Sequence, residues 1–346
     1  MHFQLPRTVS GGIVLSYKCT AECKHCMYAC SPKWSADWMA EKDLYRLLFS
    51  LSPWIAPSIY GSEYIGLNSG IHFTGGEPFL NFDLLCEGVR MAKELNIPSV
   101  FVETNSFWAF SDDVTRDKLT TLKDLGMDGI LVSVNPFFLE YIPFERTQRA
   151  ALISREIFGD NAVVYQPEFF RQFHEMGIKG KLPFDDYLQR VSKDALSRKV
   201  EFFNTGRAPY QMEKYGLFQH HPASVVVEQP CVPSFIRSWH NHFDNYGNFQ
   251  PGYCGGISLG SWTDLDRLTE EGMDLDKKPV LKYIVEDDFK GLLEYAESMG
   301  YHERDSGYLS KCHLCVDIRK FLVEKDDFNE LQPREFYSFL RLDDKL

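Results

Sequence analysis

Residues 70–78 read GIHFTGGEP, a short apolar run followed by two glycines, a glutamate and a proline. The run predicts a buried strand. The glycines let the backbone after it turn and approach another group closely, while Glu77 and Pro78 fix the turn. Five other runs have the same layout: GGIVLSY (11–17), SVFVET (99–104), GILVSVN (129–135), NAVVYQ (161–166) and KVEFFN (199–204). Amphipathic stretches over 40–51, 81–95, 112–125, 145–158 and 184–196 lie between or after them and predict helices.

Strands alternating with helices predict parallel βαβ units and an α/β fold. Six units suit a partial (βα)6 barrel of the TIM type, open rather than closed at eight, with its chemistry at the C-terminal strand ends. Polar clusters follow those ends: YKCTAEC after the first strand, then TGGEP, ETNS and SVNP. After about residue 205 the alternation stops, and a Gly-, Pro- and aromatic-rich region with four cysteines begins. The expected organisation is a barrel over 1–205, a small C-terminal metal-binding domain over 206–325, and a tail over 326–346.

Among the 346 residues, 44% are hydrophobic, enough for a substantial core. A net charge of −12 opposes the basic footprint of nucleic-acid binding. There is no Lys/Arg run for an anionic membrane surface, no eighteen-residue apolar run and no secretory leader pattern. The expected setting is cytoplasmic, without nucleic-acid or membrane partners.

Nine cysteines test that setting, because clustered thiols in a reducing compartment favour metal over disulfides. KCTAECKHCMYAC (18–30) holds Cys19, Cys23, Cys26 and Cys30. Three thiolates on one loop can hold three irons of a [4Fe-4S] cube and leave the fourth open to a ligand. Adding Cys30 would instead give a saturated cluster or a zinc site. TGGEP favours the open iron, since a close-approach loop serves a small ligand and has no use in a ferredoxin or zinc module. Cys86, on the apolar face of a predicted helix, is expected in the core.

CxxxCxxC with TGGEP resembles the radical S-adenosylmethionine (SAM) superfamily, although His25 stands where that family carries an aromatic residue. The resemblance implies that Cys19, Cys23 and Cys26 bind the cluster and that SAM chelates its open iron. It further implies that Gly75, Gly76 and Glu77 receive the methionine amino group. Glu103, Thr104, Asn105, Ser133 and Asn135 are implied around the ribose and carboxylate. Cys30 is then a buried neighbour of the cluster. Arg146 and Arg149 open a helix beside this site, where a guanidinium could fork onto the SAM carboxylate or simply face solvent.

Cys231, Cys254, Cys312 and Cys315 form the second set, the last two as CxxC, with a hairpin turning at 245–248 between the first two. Taken alone, the set suits zinc. After such a barrel, it resembles the twitch domain, a shortened SPASM domain, which implies a second, fully ligated [4Fe-4S] cluster. The 22 residues between Cys231 and Cys254 exceed the usual SPASM spacing.

Ile284, Phe289, Leu292, Leu293, Ala296 and Met299 recur at helical intervals and are expected as core. GRAP (206–209) and His220-His221 fall where barrel passes into appendage. The resemblance implies a flavodoxin- or ferredoxin-type reductant, and a substrate that is a small molecule or a peptide. About ten residues before the first strand leave no room for a fused peptide-recognition domain and lean towards a small substrate or a separately delivered peptide. A peptide maturase is the alternative within the enzyme class, and a non-catalytic iron-sulfur carrier or zinc-stabilised scaffold the alternative outside it.

Overall fold

The computed structural model describes residues 1–193, 196 and 205–342. Its main sheet has eight strands in the order β6-β5-β4-β3-β2-β7-β8-β9. These are β2 (Ser10–Val14), β3 (Gly70–Thr74), β4 (Phe101–Thr104), β5 (Gly129–Ser133), β6 (Ala162–Tyr165), β7 (Asn241–Asp244), β8 (Asn248–Gln250) and β9 (Gly260–Ser261). From β6 through β2 to β7 every neighbour is parallel, and β7, β8 and β9 pair antiparallel. A separate pair joins β1 (His2–Phe3) to β10 (Met273–Asp274).

The helices α1 (Glu41–Leu51), α2 (Phe82–Glu94), α3 (Asp112–Asp124) and α5 (Phe144–Phe158) follow the expected pattern, with α4 (Pro136–Leu139) as a short turn after β5. Asn81 and Ser111 cap α2 and α3 by accepting from the amides of Leu84 and Val114. Strand periodicity sorts the residues of β3. Phe73 lies against Gly88 of α2, whereas His72 on the opposite face meets Phe101, His240 and His242.

Two elements depart from expectation. The helix expected over 184–196 begins as α7 (Phe184–Leu188), with residues 194 and 195 outside those described, and α6 (Pro167–Glu175) precedes it with Phe169 and Phe173 buried one turn apart. Nine residues are too few for a clear period in sequence. KVEFFN (199–204) lies outside the described residues. The sixth mutually parallel strand is β7, one arm of the hairpin expected in the appendage. It runs beside β2, whose Gly11 permits the approach, since a β-carbon there would stand 2.4 Å from Asn241 O. Its sequence, NHFD, is polar yet wholly buried, which hid it.

The run over 279–299 forms two helices, Pro279–Val285 and Phe289–Ser298, divided at Asp287 and Asp288, with Ile284, Phe289, Leu292, Leu293 and Ala296 buried as expected. No helix among the described residues is long and apolar enough to cross a membrane.

Candidate functional site

The chain leaves β2 into a loop held at both ends. Tyr17 donates to Asp244 Oδ2 at 2.9 Å and stacks on Trp34 with centroids 4.5 Å apart, and Trp34 Nε1 donates to Ala29 O at 3.0 Å. Between these anchors, Cys19, Cys23, Cys26 and Cys30 all line one cavity of about 180 Å³. The strand ends supply its other walls: Thr74, Gly75 and Gly76 after β3, Glu103, Thr104 and Asn105 at β4, Ser133 and Asn135 at β5, and Tyr165 and Gln166 at β6.

Gly76 fits because it lacks a side chain: a β-carbon would stand 1.9 Å from Lys18 O. The amides of Gly76 and Glu77 donate to Ser16 O and Lys18 O at 2.8 and 3.1 Å, stitching the GGE turn to the cysteine loop. Glu77 is buried, and its carboxylate accepts from Thr104 Oγ1 (2.9 Å), Asn105 N (2.8 Å) and Phe79 N (3.2 Å). It thus ties the β3 loop to the β4 loop, and burial raises its pKa to about 7. Glu103 accepts from Thr74 Oγ1 at 2.8 Å, and burial raises its pKa too. Asn105 Nδ2 lies 3.7 Å from Cys19 Sγ.

The thiols are not equivalent. The Cys30 thiol donates to Cys26, and this bond leads the causes that bring Cys26 down to about 6. The Cys30 amide also points to Cys26 Sγ at 3.3 Å. Burial, reinforced by Glu77, pushes Cys19 up to about 12. Cys30 is buried beside Cys26 and lines the same cavity. His25 stacks on Phe137 at 4.8 Å and lies 3.1 Å from Asn135 Nδ2, so the imidazole occupies an aromatic slot. Burial lowers its pKa to about 3, which keeps it neutral.

Arg146 and Arg149 are directed elsewhere. Arg146 donates to Phe107 O, while Arg149 donates to Asp112 Oδ1 (2.6 Å) and Ala109 O (2.8 Å), and neither lines the cavity. Sequence reading missed Tyr28, Tyr165 and Gln166. Gln166 accepts from Asn135 at 3.3 Å and directly follows a strand, the position that singled out Asn135.

The second cysteine set also converges. Cys231, Cys254, Cys312 and Cys315 line a narrow cavity with Lys311 and Arg319. Cys312 and Cys315 share one face of the first turn of the helix Lys311–Lys325, where Ser310 caps by accepting from His313 N. The Cys231 amide donates to Asp287 Oδ1 at 2.6 Å. Arg319, buried one turn beyond Cys315, donates to Gly255 O (3.0 Å) and Tyr337 Oη (3.1 Å). Burial pushes Cys231 up to about 12 and raises Cys254. The nine cysteines are free thiols, and among the described residues no three His, Cys, Asp or Glu side chains stand at the spacing a lone metal ion requires.

No family model and no curated protein matches the chain. Among solved structures it is similar to BtrN in complex with AdoMet and 2-DOIA, with 15% identity, 77% of this chain and 83% of that chain covered, and a TM-score of 0.38. It is also similar to native anSMEcpe with bound AdoMet, with 11% identity, 96% and 98% covered, and a TM-score of 0.34.

Proposed function

We propose that the chain is a radical SAM enzyme. The observation that carries this reading is the meeting of Cys19, Cys23 and Cys26 with Gly75 and Gly76 on one cavity at the C-terminal ends of parallel strands. An all-sulfur donor set on free thiols suits a soft metal centre, and three thiolates fit a cube with one open iron. A [4Fe-4S] cluster held by Cys19, Cys23 and Cys26 would supply the electron for cleavage of SAM to methionine and a 5'-deoxyadenosyl radical able to abstract hydrogen from substrate.

In this reading the chain's own groups bind and orient. The Gly75-Gly76 backbone receives the methionine amino group, with Glu77 holding that turn from behind. Glu103, Thr104, Asn105, Ser133 and Asn135 surround the ribose and carboxylate. The second set, over 206–325, holds another [4Fe-4S] cluster through Cys231, Cys254, Cys312 and Cys315, with Lys311 and Arg319 as buried cations beside four thiolates. Held there, such a cluster would supply an acceptor for the electron left on a substrate, a small molecule or a peptide side chain, as that substrate is oxidised. A shared wall supports the electron route: a β-carbon on Gly255, next to Cys254, would stand 2.4 Å from the carbonyl oxygen of Met27, next to Cys26.

Anaerobic reconstitution with iron and sulfide tests the reading. Reduced protein is expected to give an EPR signal that shifts when SAM is added, because SAM occupies the open iron. A signal indifferent to SAM, or a protein that takes up zinc but no iron, would reject it.

A further inference from the structure

The GRAP segment places a guanidinium beneath the first cysteine loop. Gly206 has φ +58°, and a β-carbon on it would stand 2.4 Å from Met27 O, so this chain passes directly under the loop. Arg207 follows, fully buried. Its backbone amide donates to Cys26 O at 3.0 Å. Its side chain donates from Nη1 to Cys23 O (3.0 Å), from Nη2 to Ala29 O (2.8 Å) and Cys30 O (3.0 Å), and from Nε to Phe339 O (2.9 Å).

Every group this guanidinium bonds is a carbonyl. The acids near the loop are committed elsewhere, Glu22 to Lys33 at 3.0 Å, Glu140 to Lys24 at 2.5 Å and Glu77 to Thr104 and Asn105, and none of them bonds the Arg207 side chain. Burying a charge without an anionic partner is costly, and neutral donors could have tied the same carbonyls. A full positive charge here has a use if the cavity above it holds an anion.

We propose that Arg207 is the counter-ion of the cluster held by Cys19, Cys23 and Cys26, positioning its loop and raising its reduction potential. This role rests on the function proposed above. A thiolate-bound cube is anionic and gains a further negative charge with the electron it takes. A fixed cation at short range in a low-dielectric interior favours the reduced form. The carbonyl bonds give the positioning and the charge gives the potential, so substitution can separate them.

The test is an EPR-monitored redox titration of full-length, anaerobically reconstituted wild type, Arg207→Lys and Arg207→Gln. It is read on the part of the reduced signal that shifts with added SAM, alongside iron content. Arg207→Gln is expected to move the reduction equilibrium at least tenfold towards the oxidised form, about 59 mV for one electron. Arg207→Lys, which keeps the charge, is expected to retain iron and to shift less than half as far. If Arg207→Gln loses the cluster altogether, retention of iron and potential by Arg207→Lys supports the role. An unchanged potential in Arg207→Gln, an equal shift in both variants, or loss of iron from both overturns it, because geometry alone would then account for the residue. A wild type without a SAM-responsive signal overturns the proposed function and this role together, whereas a normal wild type with an unaffected Arg207→Gln overturns this role alone.

Discussion

Gly255, the residue after Cys254, lies so close beneath Met27, the residue after Cys26, that a β-carbon there would stand 2.4 Å from the Met27 carbonyl oxygen and 2.8 Å from Phe336 Cε2. The two cysteine sets, more than two hundred residues apart in sequence, are therefore neighbours through backbone contact.

Gly255→Ala is expected to force these segments apart at a cost of about 1–3 kcal/mol, the usual range for overpacking. Urea unfolding measures it. An unchanged midpoint would mean that the contact yields freely.

Cys26→Ala and Cys30→Ala should differ sharply although both thiols line the cavity. Cys26→Ala is expected to abolish SAM cleavage, and Cys30→Ala to leave most of it, because the proposed reading makes Cys26 a ligand and Cys30 a buried neighbour whose amide donates to Cys26 Sγ. Iron analysis of both variants checks this. Loss of the first site's iron from Cys30→Ala would show a four-thiolate site instead.

His72 gives a pH dependence of definite sign. Burial lowers its pKa to about 3, against an ordinary value near 6.5 in the unfolded chain. Its neutral ring therefore contributes stability that is fully present above pH 6.5 and lost as pH falls towards 3. Glu77, raised to about 7, acts in the opposite direction, so the informative quantity is the difference between wild type and His72→Phe. Below pH 6.5 that difference should move in favour of the variant by about 1.4 kcal/mol per pH unit. Urea midpoints at pH 7.5 and 5.5 read it, and parallel curves would contradict a buried neutral His72.

Cys312→Ala with Cys315→Ala should remove one centre and spare the other. Iron is expected to fall by about half, from on the order of eight per chain for two cubes. SAM cleavage with an artificial reductant should persist while substrate oxidation fails. Unchanged iron with less zinc would overturn the second cluster, and continued substrate turnover would overturn its role as electron acceptor.

Five strands, four of the five predicted helices at nearly their full length, and both cysteine sets were legible in the sequence, because each rests on local pattern: alternating apolar runs, Cys spacing, and glycines after a strand. What escaped depends on tertiary contact. β7 looks like a polar hairpin arm, and only its pairing with β2 buries it. Arg207 stands alone in GRAP, and its four carbonyl partners come from three places in the loop and from Phe339. Arg319 was within reach of inference, since four residues beyond Cys315 on a helix returns to the same face. Arg146 and Arg149 were plausible from position, but they point to the loop before α3 rather than into the cavity.

The central claim is that the Cys19-Cys23-Cys26 cavity cleaves SAM. The most direct measurement is 5'-deoxyadenosine and methionine formed from SAM by anaerobically reconstituted, dithionite-reduced protein, with Cys26→Ala treated identically. Equal amounts of both products from wild type and none from Cys26→Ala are the predicted result, and a wild type that carries a full complement of iron and sulfide yet forms no 5'-deoxyadenosine would contradict the account.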